Sequence, residues 1–223
     1  LLISTPAFSE DPTATAKCRL KDWSGVEQTA ATVVRTVDGD TAHVKVDGAE
    51  YAVRFLTIDT PETHYNGMSQ GTWGEQAAAH LKALLPVGAP VTLEFEDEPC
   101  DSYGRMLAHV WRGSRDINWQ MVQDGMAVNY CIFPNVRHCE DYGDSAQINA
   151  DHHLGIFSDP SLQIPYVWRR EMSHRPEDRW VGNLKTHEAF APGNLDSVPV
   201  GARIFFSKDE EAVPPSYEII PNP

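Results

Sequence analysis

The stretch that decides the fold runs from Thr29 to Glu62 and reads TAATVVRTVDGDTAHVKVDGAEYAVRFLTIDTPE. Apolar and polar residues alternate along it, which is the period of a half-buried β-strand. Asp-Gly pairs at 38–39 and 47–48 interrupt the alternation, and this dipeptide favours tight hairpin turns. Pro61 cannot donate a hydrogen bond to a sheet, so the third strand ends there. The stretch therefore predicts a meander of three strands.

Helix and strand signals follow one another after this meander. Residues 73–85 are rich in Ala, Leu, Glu and Gln and stop before a proline, which is typical of a helix. Residues 91–96 and 105–111 alternate again and predict strands four and five. Further helices are expected over 117–123 and within 140–153. The sequence thus predicts an α+β protein, a five-stranded barrel of the OB-fold type with about three helices.

Charge and hydropathy exclude some classes of function. The chain has 223 residues, of which 41% are hydrophobic and 22% charged, as expected for a globular protein with its own core. The most apolar stretch, residues 77–91, is interrupted by polar residues and prolines, so no membrane span is expected. Residues 29–158 hold 8 Lys+Arg and 18 Asp+Glu, a net charge of −10 that repels phosphate backbones. Binding of nucleic acid would therefore depend on local chemistry.

The four cysteines contain no Cys-x-x-Cys pair and allow two disulfides in three connectivities. We favour a Cys131–Cys139 disulfide, because a short polar segment with a proline can fold back between these residues. A zinc site built from these two cysteines, His138 and His152 is the alternative, although it lacks the usual ligand spacing.

Three segments are expected along the chain. An N-terminal extension covers 1–28, the barrel domain covers 29–170 and a C-terminal extension covers 171–223. The apolar residues 1–9 end in small side chains, as the remnant of a leader sequence does. Together with the cysteines they predict an exported protein, periplasmic or secreted, or one imported into an organelle.

Carboxylates and arginines gather at the predicted strand ends, at Asp40, Arg54, Asp59, Glu62 and Arg105. Two carboxylates with a backbone oxygen suit a hard cation such as calcium. Two guanidinium groups can hold a phosphate by paired hydrogen bonds and neutralise charge that develops on it. A remaining carboxylate can orient water. This combination of residue types predicts hydrolysis of a phosphodiester.

The same residues lie in a specific order of motifs. The chain resembles the staphylococcal nuclease (thermonuclease) family at VDGDT (37–41), VRFLTIDTPET (53–63), WGEQA (73–77), DSYGR (101–105) and GIFS (155–158). The resemblance covers about residues 29–158, and residues 165–170 are similar to the tail of many exported bacterial members. It implies an SNase-like barrel and a calcium-dependent endonuclease or exonuclease that hydrolyses DNA or RNA.

The resemblance also implies the metal ligands and the residue that handles water. Asp40, Asp59 and the backbone carbonyl of Thr60 would bind Ca²⁺. Glu62 would position or deprotonate the attacking water.

The substrate contacts follow from the same motifs. Arg54 and Arg105 would hold the scissile phosphate, and Tyr103 and Tyr130 would line the nucleotide site. Family members commonly have Lys before the Tyr-Gly-Arg triplet, where this chain has Ser102, so one phosphate contact is missing. The resemblance with this departure implies weaker binding that depends little on salt.

The segments after Trp180 are similar to a small cysteine-rich Ada-type module, but they contain no cysteine, so no metal is expected there. An alternative function follows from the acidic surface and this extension. The chain could be a catalytically weak or inactive SNase-like protein that serves as a structural or accessory subunit of a larger protein assembly.

Overall fold

The computed structural model describes residues 15–221, so the predicted leader remnant at 1–9 lies outside the described residues. The α-helices within that range are α1 (Thr72–Leu84), α2 (Ile117–Gln123), α3 (Cys139–Asp151) and α4 (Pro165–Met172). The strands are β1 (Gln28–Thr36), β2 (Thr41–Val46), β3 (Ala49–Phe55), β4 (Thr57–Asp59), β5 (Pro90–Glu94), β6 (Met106–Arg112), β7 (Arg115–Asp116), β8 (Val128–Ile132), β9 (Val181–Asn183), β10 (Glu188–Phe190), β11 (Arg203–Phe205) and β12 (Glu218–Ile220).

Five strands close into a barrel. β1 pairs antiparallel with β2 and β5, β2 pairs with β3, and β5 pairs with β6. The parallel pairing of β3 with β6, with Val53 opposite Met106, closes the ring. The barrel predicted from the strand meander is therefore confirmed, because every other side chain of these strands points into one shared core.

The barrel core is filled by aliphatic and aromatic side chains, of which Val53, Phe55, Leu93 and Met106 are almost fully buried. Helix α1 covers one end of this core through a buried stripe that includes Leu81. Each such side chain contributes about 1.5 to 3 kcal/mol when it leaves water. The strand ends that carry the polar residues are thus held on a rigid frame.

The predicted third strand is divided in two at residues 56 and 57. Leu56 separates β3 from β4, and Thr57, the first residue of β4, has a φ of 65°, a left-handed conformation that is rare for a β-branched residue. β4 then leaves the barrel and pairs antiparallel with β8, with Asp59 opposite Val128. The change of direction at residues 56 and 57 therefore takes the chain out of the barrel sheet before Asp59.

The C-terminal part of the chain adds to the sheet formed by β4 and β8. β11 pairs parallel with β8, β9 lies between β11 and β10, and β12 pairs with β10. Helix α3 packs closely on residues 200–202, since a Cβ on Gly143 would lie 2.0 Å from the Gly201 carbonyl oxygen. The segment after residue 170 therefore shares a sheet with β4 and β8, and its buried side chains pack with Cys131, Cys139 and Tyr166 in clusters outside the barrel core.

Four α-helices are present in the described residues, where the sequence predicted about three. Helix α2 occupies the predicted residues, and its N-cap Asp116 accepts a hydrogen bond from the Trp119 amide, as its sequence suggests. Helix α4 is the additional one, and it begins with Pro165 at its first position, where the missing amide costs nothing. None of the helices in residues 15–221 has the length and apolar character required to cross a membrane.

Two disulfides are present, Cys18–Cys100 and Cys131–Cys139. The second is the favoured pairing, and it joins β8 to the start of α3. Because both cysteines of the alternative zinc site are used in this bond, that site is not formed; His138 instead contacts Glu94 at 3.3 Å.

Candidate active site

Asp40 is fixed at the turn between β1 and β2. Its backbone amide donates to Asp38 Oδ1 at 3.0 Å, and its own Oδ2 accepts from the amide and hydroxyl of Thr60, both at 3.0 Å. Gly39 permits this approach, because a Cβ there would lie 2.7 Å from Thr60 Oγ1. The turn after β1 and the end of β4 are therefore held together by the carboxylate of Asp40.

Asp59 ends β4 and is fully buried. Glu62 follows after Pro61, and its amide is held by Gln70 Oε1 at 3.1 Å. The start of α1 also packs against it, since a Cβ on Gly74 would lie 2.5 Å from the Glu62 carbonyl oxygen. Burial at β4 and backbone packing at α1 thus place the two carboxylates on the same side of the barrel.

Arg54 connects the two predicted metal ligands. Its Nη2 donates to Asp59 Oδ1 at 2.9 Å and lies 3.3 Å from Asp40 Oδ2, while Nη1 donates to two backbone carbonyls. Burial alone would lower the pKa of Arg54, but attraction by Asp40 and Asp59 outweighs it and raises this pKa. A single cationic group therefore already bridges both carboxylates.

A second guanidinium enters the site from α4. Arg169 donates to Asp59 Oδ1 at 2.9 Å through Nη1 and to Asp59 Oδ2 at 2.8 Å through Nη2. Its Nη1 also donates to Glu62 Oε1 at 2.7 Å. Burial opposes the charge of Arg169, yet attraction by Asp59 raises its pKa well above the ordinary value. The sequence offered only a pair of arginines at 169–170 as a signal, without indicating what they contact.

Burial also changes the acidity of two carboxyl groups at the site. Desolvation, followed by repulsion from Asp40, raises the pKa of Asp38 to about 7. Desolvation raises the pKa of Glu62 as well, and the attraction of Arg169 opposes this only in part. A carboxylate with a raised pKa is a better proton acceptor near neutral pH, as a general base requires.

The loop of the DSYGR motif is organised separately. Asp101 Oδ1 accepts from the amides of Tyr103 and Arg105, and its Oδ2 accepts from Arg105 Nε at 2.6 Å. No hydrogen bond to Nη1 or Nη2 of Arg105 occurs among residues 15–221, and the side chain is 32% exposed. Tyr103 is 77% exposed beside it. The forked end of Arg105 is therefore free to meet a ligand, although it makes no contact with Asp40 or Asp59 in the described residues.

A lysine from the N-terminal segment reaches the same loop. The Cys18–Cys100 disulfide holds Lys17 beside it, with Lys17 Nζ 3.4 Å from the Tyr103 carbonyl oxygen. This contact puts a positive charge at the Tyr103 carbonyl, in the loop where Ser102 stands in place of the family's lysine.

Tyr130 lies in a different environment from Tyr103. Its ring packs between Tyr166 of α4 and Phe205 of β11, with ring centroids 5.9 and 4.7 Å away. Burial raises the pKa of its hydroxyl. Tyr130 is thus part of an aromatic cluster with α4 and the C-terminal segment, and a role of Tyr130 in binding substrate stays a prediction.

Another polar cluster lies at β5 and β6. His109 is fully buried and contacts Glu96 Oε1 at 2.6 Å and the Tyr142 hydroxyl at 3.0 Å. Burial alone would raise the pKa of Glu96, but hydrogen bonds from His109 and the Arg137 amide lower it below the ordinary 4.5. These groups satisfy one another and connect the barrel to α3.

Comparison with known proteins agrees with this geometry. Residues 52–159 match the family described as staphylococcal nuclease homologue. Endonuclease YhcR of Bacillus subtilis (strain 168) is 33% identical over 199 residues, which are 83% of this chain and 16% of that protein. Thermonuclease of Staphylococcus hyicus is 34% identical over 108 residues, 48% of this chain and 63% of that protein. The chain thus spans less than two thirds of either relative. These matches and the closed barrel support an SNase-like family for residues 52–159.

Proposed function

We propose that the chain is a calcium-dependent phosphodiesterase that hydrolyses DNA or RNA. The observation that supports this best is the contact of Arg54 with both Asp40 and Asp59, because it puts two buried carboxylates within reach of one cation. The relatives are named as endonucleases and a thermonuclease, which favours an enzyme over the accessory-subunit alternative.

The donor set fits a hard divalent cation. Asp40 and Asp59 offer carboxylate oxygens, and Thr60 adds a backbone carbonyl next in the chain, all of which are ligands that calcium prefers. No group of three or more His, Cys, Asp and Glu side chains among the described residues has a metal-binding arrangement, so the carbonyl and water would complete the set. When bound, the cation would neutralise charge on the phosphate.

The remaining roles belong to side chains of this chain. Glu62, with its raised pKa, would accept a proton from the attacking water. Arg105 would bind phosphate oxygens through its free Nη groups, and the exposed ring of Tyr103 would stack on a base or sugar. Arg54 has both Nη groups bonded to protein acceptors, so it would hold phosphate through Nε or after it exchanges a contact.

The surroundings of the site favour short or single-stranded substrates. The net charge of −10 over residues 29–158 opposes tight binding of a long duplex. The two disulfides favour an oxidising compartment, and we infer an exported protein from them. We retain the predicted segments 1–28, 29–170 and 171–223, with the last as a candidate surface for a protein partner.

Digestion of labelled single-stranded DNA and RNA, with calcium and with a calcium chelator, tests this function. We expect cleavage only with calcium. Glu62→Gln should lower kcat by about 100-fold or more, since a general base contributes that much. Glu75→Gln is the matched control, because Glu75 is exposed on α1 and its side chain makes no hydrogen bond or ion pair with Asp40, Asp59 or Glu62 in the described residues. Cleavage in chelator, or wild-type kcat in Glu62→Gln, would overturn the proposal.

A further inference from the structure

Arg169 lies in α4, beyond the residues 52–159 that match the family, and yet it contacts the centre of the candidate site. Both of its Nη groups bind Asp59, one to each carboxylate oxygen, and one of them also binds Glu62. This paired geometry is the strongest way in which a guanidinium can hold a carboxylate. The side chain is 20% exposed and Asp59 is fully buried, so water screens the interaction little.

Helix α4 is anchored on two sides, so Arg169 is not a loose surface side chain. The Tyr166 hydroxyl accepts from the amides of Asp178 and Arg179, at 3.0 and 3.2 Å. At the other end, Ser173 shares a hydrogen bond of 2.8 Å with Tyr65 from the loop before α1. The helix therefore connects the C-terminal segment with the loop that follows Glu62.

The oxygens that a cation would need are the ones that Arg169 holds. Asp59 Oδ1 accepts from both Arg54 and Arg169, and Asp59 Oδ2 accepts from Arg169. A divalent cation at these oxygens would also be repelled by the guanidinium, because like charges at short range in a buried site interact strongly. Arg169 and a cation bound at Asp59 would thus compete for the same carboxylate oxygens.

We propose that Arg169 is the resident counter-cation of the carboxylate cluster and that its side chain acts as a latch, which calcium must displace before it can bind Asp59. The proposal rests on the proposed function and adds its regulation. A latch lowers the apparent affinity for calcium by the fraction of molecules in which it is open. It also neutralises Asp59 and Glu62 while no metal is bound.

Calorimetric titration of the full chain with calcium tests this, with Arg169→Met as the main variant. Methionine keeps much of the apolar stem and removes the charge and the hydrogen bonds. Arg170→Met is the matched control, because it removes the same charge from the next residue of the same helix, where Arg170 contacts Asp178 and the Pro176 carbonyl. We expect calcium to bind Arg169→Met about tenfold tighter or more, and Arg170→Met as it binds the wild type.

Thermal melting gives a second measurement that does not depend on cleavage. In chelator, Arg169→Met should melt below the wild type, because the buried carboxylate of Asp59 loses one of its two cationic partners. Saturating calcium should then raise its Tm by more than it raises the Tm of the wild type. Arg169→Lys keeps the charge but not the paired contact, and its calcium affinity should lie between those of the wild type and Arg169→Met.

The outcomes separate the latch from the proposed function. If the wild type binds calcium and cleaves nucleic acid, but Arg169→Met and Arg169→Lys bind calcium no tighter than it does, the latch is wrong and the function stands. If Arg170→Met gained as much calcium affinity as Arg169→Met, the latch would also be wrong, because the gain would then come from the change in net charge. If no variant binds calcium and the wild type does not cleave, both proposals fail.

Discussion

Replacement of Arg54 by alanine should destabilise the protein far more than replacement of Arg105, although both arginines are proposed to bind phosphate. Arg54 is buried between Asp40 and Asp59 and donates to two carbonyls as well. Removal of one partner of a buried ion pair costs about 3 to 5 kcal/mol. Asp59 would keep Arg169, so this cost falls on Asp40, which would keep only hydrogen bonds from neutral groups such as Thr60. Arg105 has one partner, Asp101, and lies partly in solvent, so its loss costs about 0 to 1 kcal/mol.

For a chain of this size, such a loss at Arg54 corresponds to a fall in Tm of about 10 °C. Differential scanning calorimetry in chelator measures it without stabilisation by calcium. Activity should fall in both variants by about 100- to 1,000-fold at temperatures where they are folded, as it does when a donor to the transition state is removed. Arg105→Ala therefore separates catalysis from stability, which Arg54→Ala cannot do.

Two results would refute this reasoning. Equal Tm values for the two variants would mean that Arg54 does not neutralise the buried carboxylates. Wild-type activity in Arg105→Ala would mean that its free Nη groups do not meet the phosphate.

Three further predictions concern pH, disulfides and salt. The pKa of Glu96 is lowered in the folded state, so the stability that this group contributes is present above pH 4.5 and is lost as pH falls through its folded pKa. In Glu96→Gln, stability followed by circular dichroism should therefore depend less on pH in this acid range. Loss of the Cys18–Cys100 disulfide should cost about 2 kcal/mol more in urea unfolding than loss of Cys131–Cys139, because it closes 82 residues rather than 8. Binding of a short labelled oligonucleotide should require calcium and change little between two salt concentrations, since few counterions are released.

Each of these has an outcome that contradicts it. Unchanged acid unfolding in Glu96→Gln would show that its contact with His109 carries no net stability. Equal costs for the two disulfides would contradict the loop-closure argument. Calcium-independent binding that weakens steeply with salt would contradict the electrostatic account of the acidic barrel.

The sequence by itself determined the local elements and their order. Alternation over residues 29–58 and the Asp-Gly turns give the meander, and Asp116 gives the start of α2. These signals suffice because strand period, turn chemistry and capping depend on residues that are near in the chain. Asp40, Arg54 and Asp59 could be grouped in advance because they lie near one another at strand ends of one meander: Asp40 directly precedes β2, whose first residue Thr41 pairs with Arg54, and Asp59 follows five residues later.

Only the tertiary structure decided what lies against these residues. Arg169 meets Asp59 across 110 positions of sequence, and the ring of Tyr130 is covered by Tyr166 and Phe205. The segment after residue 170 has strands of only three residues, too short for a clear period, and they form because β8 offers an edge to pair with. Such contacts depend on how separate elements pack, and neither composition nor spacing in one segment records which distant charge will lie against a buried carboxylate.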